Sequence, residues 1–221
     1  MNKQGKNGIE WCDSTLNPVM GCTFGCSYCY ARRMNDRFGW IENFNVPQFF
    51  PERLKKLNNK KPQNIFMDSM SDIADWDYAW TAEVFKAMQK NPQHNYMFLT
   101  KRPQIYENWM QFGWKNVWCG ATGTDDTMAN KANYQLGGIK GCNTFLSLEP
   151  LKSAVYFSDT INVDWIIIGQ QTNPNRTPKP EWVQNIIDQC RTAGVPVFVK
   201  SPLYEKFPIQ EYPKGLGEVT P

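Results

Sequence analysis

"VDWIIIGQQTNPNRTPKPEWVQNIIDQCRTAGVPVFVK", residues 163–200, begins and ends on a short apolar run and carries a longer amphipathic segment between them. "VDWIIIG" (163–169) and "VPVFVK" (195–200) read as strands buried on both faces, because apolar residues run on without polar alternation. Pro180 starts the intervening helix and Gly194 ends it. Strand, helix and strand of this kind form a parallel βαβ unit.

The same alternation extends backwards along the chain. "NIFMDSM" (64–70) reads as a strand and "YAWTAEVFKAMQKN" (78–91) as a helix with Trp80, Val84, Ala87 and Met88 on one face. "YMFLT" (96–100) precedes a helix begun by Pro103, "NVWCGAT" (116–122) precedes one opened by Thr124 and Asp125, and "TFLSLEP" (144–150) follows Gly141. With a first strand placed just before Cys22, seven strands are expected. An open doubly wound sheet and a barrel both satisfy this pattern, and both put the working site at the carboxyl ends of the strands. Those ends are polar here: Asp68, Ser69, Ser71 and Asp72; Thr100, Lys101 and Arg102; Thr122; Glu149; Gln170 and Gln171; Lys200. On one rim they would face a common cavity.

Composition narrows the function classes. A chain of 221 residues is expected to form a single domain. The first residues have no apolar leader, and no run reaches the roughly 18 apolar residues of a membrane span, so a cytoplasmic location without membrane partners is expected. Twenty-four basic against 21 acidic side chains leave +3, too little to argue for a nucleic-acid partner. His94 is the only histidine, in the polar turn "KNPQHNYMF", which disfavours His-dependent nucleophilic mechanisms; it reads as a solvated loop residue. Seven cysteines, an odd number with three clustered, do not form a secreted disulfide framework.

The cluster is "GCTFGCSYCYARRM" (21–34), which spaces Cys22, Cys26 and Cys29 as C-x3-C-x2-C and then reads as helix as far as Gly39. Three thiolates so placed can hold three irons of a cubane and leave the fourth open. An open iron can chelate the amino and carboxylate groups of S-adenosylmethionine for one-electron cleavage. A zinc knuckle completed by Cys12 or His94, or a cluster used only for electron transfer, are the other readings of the same thiols. Cys119, Cys142 and Cys190 read as core, and Cys12 as a packed or solvent-facing thiol.

"CTFGCSYC" resembles the signature of the radical SAM superfamily, with Tyr28 in its aromatic slot. "WCDSTLNPVMGC", "MSDI", "TKRP", "FLSLEPL" and "DQCRTAGVPVFVK" are similar, in order and spacing, to the short phage Gp37/Gp68-like family of that superfamily. The resemblance implies an α/β fold, a partial (β/α)6–7 barrel of the radical SAM type over residues 1–200 with the cluster loop at 21–30, then a C-terminal tail at 201–221. It implies a [4Fe-4S] cluster on Cys22, Cys26 and Cys29, S-adenosyl-L-methionine as second cofactor, an external electron donor, and a place in the host cytoplasm if the chain is phage-encoded. Many relatives carry a Gly-Gly-Glu-Ser type sequence where this chain has "IIGQQTN", so a carboxylate is absent at the end of strand six.

Superfamily members hold the methionine amino group with a polar strip after strand two, which puts Asp68, Ser69 and Ser71 of "DSMSD" in that role; Asp72 reads equally as a helix cap. Lys101 or Arg102 would pair with the methionine carboxylate, and Tyr28, Thr100 and Gln170 complete the candidate cofactor set. Glu149 and Lys200, from later strands, are the candidate catalytic residues. A nucleoside, nucleotide or DNA base is the expected substrate, on the aromatic segments "WDYAW" (76–80) and "FGWKNVW" (112–118) and the basic Arg32, Arg33 and Arg37, with Lys55, Lys56, Lys60 and Lys61. A peptide or small metabolite, or a non-catalytic Fe-S or zinc protein, are the alternatives.

Overall fold

The computed structural model describes residues 1–4, 8–158 and 160–217, the side chains of 109–112 excepted. The architecture is mixed α/β, and the chain packs as two compact units, one up to Leu99 and one from Thr100.

In the first unit, β1 (Asn2–Lys3), β2 (Ser14–Thr15), β3 (Val19–Met20), α1 (Tyr30–Phe38), β4 (Gln48–Phe49), β5 (Asn64–Phe66), α2 (Tyr78–Gln89) and β6 (Asn95–Thr100) follow in order. β1 joins β2 antiparallel, and β2, β5 and β6 run parallel. The expected first strand is therefore displaced. Ser14–Thr15, not the residues just before Cys22, pairs in parallel with Ile65–Phe66. Val19–Met20 turns away to pair antiparallel with Phe49 and Gln48. Asn17-Pro18 intervenes, a dipeptide that favours a break in a strand.

α1 begins where Cys29 acts as N-cap, its Sγ accepting the Arg32 N–H at 3.4 Å, and ends at Gly39 in the left-handed conformation. Asp77 caps α2 through the Ala79 N–H at 2.7 Å, and Val84 and Met88 form the buried face of that helix. Trp80 stacks on Phe49 at 5.8 Å.

The second unit contains β7 (Val117–Thr122), α3 (Asp126–Gly137), β8 (Asn143–Leu148), β9 (Ile166–Ile168), β10 (Gln171–Thr172), β11 (Asn175–Arg176), α4 (Pro180–Ala193) and β12 (Val197–Val199). β7, β8, β9 and β12 are neighbours in that order and all parallel. The βαβ unit at 163–200 is realised with Val197 opposite Ile166, Pro180 at the first turn of α4 and Gly194 left-handed at its end. Ile166, Ile167 and Ile168 are wholly buried, as strands covered on both faces require. Trp165 lies against Trp118, Phe145, Phe198 and Tyr212. Asp125 caps α3 by accepting the Met128 N–H at 3.0 Å.

One expectation changes in this unit. Pro103–Phe112 winds as 3-10 rather than α-helix, without a side-chain cap, over a run of Ile, Tyr, Asn and Trp with only middling α propensity. Residues 201–217, expected as a tail, are packed: Phe198 bridges Gln210, and the Trp165 indole N–H donates to the Glu211 carbonyl at 2.8 Å. The remainder of that tail, 218–221, lies outside the described residues.

Gly21, at φ +107°, has no room for a side chain, since an added Cβ would lie 2.8 Å from Pro47 Cα. Gly25, at φ +72°, faces open space. Gly25→Ala is therefore expected to cost about 1–2 kcal/mol from backbone strain alone, and Gly21→Ala more than that because Pro47 must also move. Chemical denaturation of the two variants checks the ranking; equal losses would overturn it.

Candidate functional site

The loop that carries the three cysteines is tied to the end of β5 by several bonds within the first unit. Gly21 N–H donates to the Met70 carbonyl at 3.0 Å, and Gly21 and Ser71 form an isolated parallel bridge. Thr23 gives its N–H and its hydroxyl to the two oxygens of Asp75, at 2.8 and 2.7 Å. The Tyr30 hydroxyl donates to the Ser69 carbonyl. Arg32 donates to the Cys22 carbonyl at 3.3 Å and to Asn45 Oδ1 at 2.9 Å, and its guanidinium lies over the Phe44 ring. Arg33 donates to the Tyr28 carbonyl at 3.2 Å. These two arginines, expected on a phosphate backbone, hold the cysteine loop.

Cys22, Cys26 and Cys29 are free thiols, each half-buried. Cys22 and Cys29 pack on the apolar group of Met20, Ala31, Ile41, Phe44 and Met70. Cys22 Sγ accepts the Phe24 N–H at 3.4 Å, as Cys29 Sγ accepts that of Arg32. Burial pushes the Cys22 thiol up to about 12, and the carboxylates of Asp72 and Asp75 add to the shift. Among the described residues no three His, Cys, Asp or Glu side chains meet as ligands of one metal ion. Thiolates on one face of a cubane bind different irons and so stand farther apart than the ligands of a single ion. The loop presents three half-buried free thiols, two of them already accepting backbone N–H groups.

The other ligands that a zinc knuckle would need are committed elsewhere. Cys12 is wholly buried, with its thiol toward the Ile9 carbonyl at 3.7 Å. His94 is not a solvated loop residue. It is 1 % exposed, with Nε2 2.9 Å from the Leu57 carbonyl and its ring edge-on to Tyr96. The polar turn that contains it folds inward because the Leu57 carbonyl can take a ring N–H.

The polar strip after β5 divides into structural and open groups. Asp68 is buried, accepting the Leu99 N–H at both oxygens, 3.1 and 3.2 Å; burial and the nearby Asp72 hold its carboxyl well above the usual range. Asp72 caps the short 3-10 turn at 73–75 through the Ala74 N–H at 3.0 Å, as its alternative reading has it. The Ser69 hydroxyl donates to Asn17 Oδ1 at 3.1 Å, and Asn17 Oδ1 also accepts the Met70 N–H at 2.9 Å. Ser71 Oγ accepts the Trp76 indole N–H at 3.0 Å. Asn17 and Asp75 carry no sequence signal of these roles, and Trp76, expected in a stacking segment, instead donates to Ser71. Asn17 and Asp75 act on partners 52 residues away, whereas Trp76 reaches Ser71 only five residues back.

The remaining candidates belong to the second unit. Thr100 is buried, its hydroxyl oxygen accepting the Arg102 N–H at 3.0 Å, and Lys101 follows it at the strand end. Lys200 Nζ and Glu149 Oε1 form an ion pair at 2.5 Å, with side chains 15 and 25 % exposed. Gly169 lets Glu149 pass, since an added Cβ there would lie 2.7 Å from the Glu149 Cδ. Gln170 is buried and latched to the β10–β11 hairpin, donating to Asn175 Oδ1 at 2.6 Å and accepting the Thr177 hydroxyl at 3.2 Å.

Of the aromatic segments, Trp76 and Trp118 are buried core, whereas Tyr78 is 89 % exposed; the side chain of Phe112 lies outside the described residues. Exposed rings instead gather on α1 and its flanks: Phe24, Tyr30, Phe38 and Trp40. Phe38 and Trp40 stack at 5.2 Å, and the exposed Arg37 lies over Phe38. No helix among the described residues is long and apolar enough to cross a membrane.

No curated protein and no solved structure matches the chain. The family described as "Protein of unknown function (DUF5131)" matches residues 6–206, and the chain belongs to that family.

Proposed function

We propose that the chain is a radical SAM enzyme, a partial (β/α) barrel of that type with a [4Fe-4S] cluster on Cys22, Cys26 and Cys29. The observation that carries this reading is the bridge from Gly21 to Ser71, which sets a loop of three free thiols against the polar end of β5. When bound, the cluster and S-adenosylmethionine supply one-electron cleavage of a carbon–sulfur bond to a 5′-deoxyadenosyl radical.

The chain's own residues would then bind and orient. Ser71 Oγ already accepts the Trp76 indole N–H, so its proton is left to donate to a carboxylate. Ser69 donates to Asn17, so its oxygen is left to accept from an ammonium group. Asp68 contributes indirectly, by fixing the backbone of β6 at Leu99. Glu149 and Lys200, a partly exposed charge pair at two parallel strand ends, are assigned to substrate. The exposed rings of Tyr30, Phe38 and Trp40, with Arg37 beside them, favour a flat, phosphate-bearing substrate such as a nucleotide or a DNA base over a peptide.

These outcomes are expected. Protein reconstituted without oxygen should hold about four irons per chain, as read by iron and sulfide analysis. Cys22→Ala, Cys26→Ala or Cys29→Ala should abolish the cluster, and stoichiometric zinc without iron uptake would overturn the assignment. Reduced with dithionite, the loaded protein should convert S-adenosylmethionine to 5′-deoxyadenosine and methionine; S-adenosylhomocysteine as the sole product would point to methyl transfer instead. Finally, Ser71→Ala should weaken S-adenosylmethionine binding about tenfold, the loss of one hydrogen bond to a charged group. Glu149→Gln and Lys200→Met should leave uncoupled cleavage nearly intact while product from a nucleotide substrate disappears. Loss of uncoupled cleavage in the last two variants would remove them from the substrate role.

A further inference from the structure

Two further thiols, outside the cysteine loop, belong to the second unit. Cys119 on β7 and Cys142, one residue ahead of β8, bring their Sγ atoms to 3.0 Å. The two strands are hydrogen-bonded neighbours, with Cys119 opposite Thr144. Cys119 is 1 % exposed, whereas Cys142 is half-buried and follows the exposed Lys140 and Gly141. The other two thiols outside the loop, Cys12 and Cys190, are both wholly buried.

We propose that Cys119 and Cys142 are a site of reversible oxidation, closing to a disulfide when the protein meets a peroxide. Cys142 is the half that an oxidant can reach. It is also the better nucleophile, because the hydrogen bond from the Cys119 thiol favours its thiolate, while burial keeps Cys119 protonated. The Asp164 carboxylate opposes that charge, but it is held by the Thr144 N–H and hydroxyl at 2.8 and 3.2 Å. The Cys142 thiolate attacks one peroxide oxygen and breaks the O–O bond, giving a sulfenic acid and hydroxide. The Cys119 sulfur then displaces the hydroxyl from Cys142 and gives up its proton, so water leaves and the S–S bond forms. Overall two thiols lose two electrons and two protons, and one hydrogen peroxide becomes two waters. The short approach still needed falls to the Gly137–Gly141 connection, with Gly138 and Gly141 within it and Gly141 at φ +85°.

This site is independent of the cluster reading, and trypsin separates the two. Cleavage at lysines puts Cys119 in peptide 116–131 and Cys142 in peptide 141–152, apart from every loop cysteine. The full chain, reduced and then treated with hydrogen peroxide, should yield these peptides joined, with the mass of their sum less two hydrogens, and dithiothreitol should part them. Cys142→Ser should reduce the joined product to background while Cys119 stays alkylatable after unfolding. Over-oxidation of Cys142 without a link, a link from Cys142 to a loop cysteine, or two thiols unchanged by peroxide that oxidises free glutathione would each overturn the proposal. The wild-type peptide map decides the matter even if a variant folds poorly.

Discussion

One backbone hydrogen bond, from the Gly21 N–H to the Met70 carbonyl, sets where the cysteine loop begins. Its net worth is about 1 kcal/mol, so its importance is geometric. Ordering a loop costs roughly 1–2 kcal/mol per residue, which a single bond cannot offset. The loop is therefore held again by Thr23 on Asp75, by Tyr30 on Ser69 and by Arg32 on its own Cys22 carbonyl. All of these ties lead to one short stretch, 69–75, or back into the loop itself. Only a glycine could start it, because both the φ of residue 21 and the nearness of Pro47 exclude a side chain.

The same stretch explains why the polar groups after β5 are unequal. Asp68 and Asp72 spend their carboxylates on backbone N–H groups of the turn and of β6. Buried carboxylates without such partners would be costly, and with them they become scaffolding. The serines keep unused hydrogen-bonding capacity, one as donor and one as acceptor, because Trp76 and Asn17 take only half of each hydroxyl. Burial acts on Cys22 in the opposite direction from what a metal ligand needs, raising a thiol that must be deprotonated to bind.

Much of this was legible in the chain, for reasons that separate local from distant causes. α4 could be bounded from Pro180 and Gly194, α1 from Gly39, and the parallel strands from unbroken apolar runs, since each signal is contained within a few residues. The first parallel strand was misplaced because Ser14–Thr15 is only two residues long and lacks apolar side chains. His94 was misread because its burial depends on the Leu57 carbonyl, 37 residues earlier. The roles of Asn17 and Asp75, whose partners lie 52 residues away, were likewise invisible, although the cysteine spacing beside them was plain. The hairpin of β10 and β11 inside "QQTNPNRT" gave only a turn signal, Asn-Pro, without strand-like alternation.

"IIGQQTN" shows how a local signal acquires meaning only through its neighbours. Read alone, Gly169 simply ends an apolar strand. In the fold it stands where a methyl group would strike the Glu149 carboxylate, so the position of the acid just after β8 depends on the absence of a side chain just after β9. The next residue, Gln170, is fastened to Asn175 and Thr177. A glutamate at Gln170 would meet Asn175 Oδ1, which now accepts a hydrogen bond, with a second acceptor, and the latch would need a different partner. The amide at this position is thereby matched to the hairpin that follows it, and Glu149 and Lys200 remain as the charged pair at these strand ends.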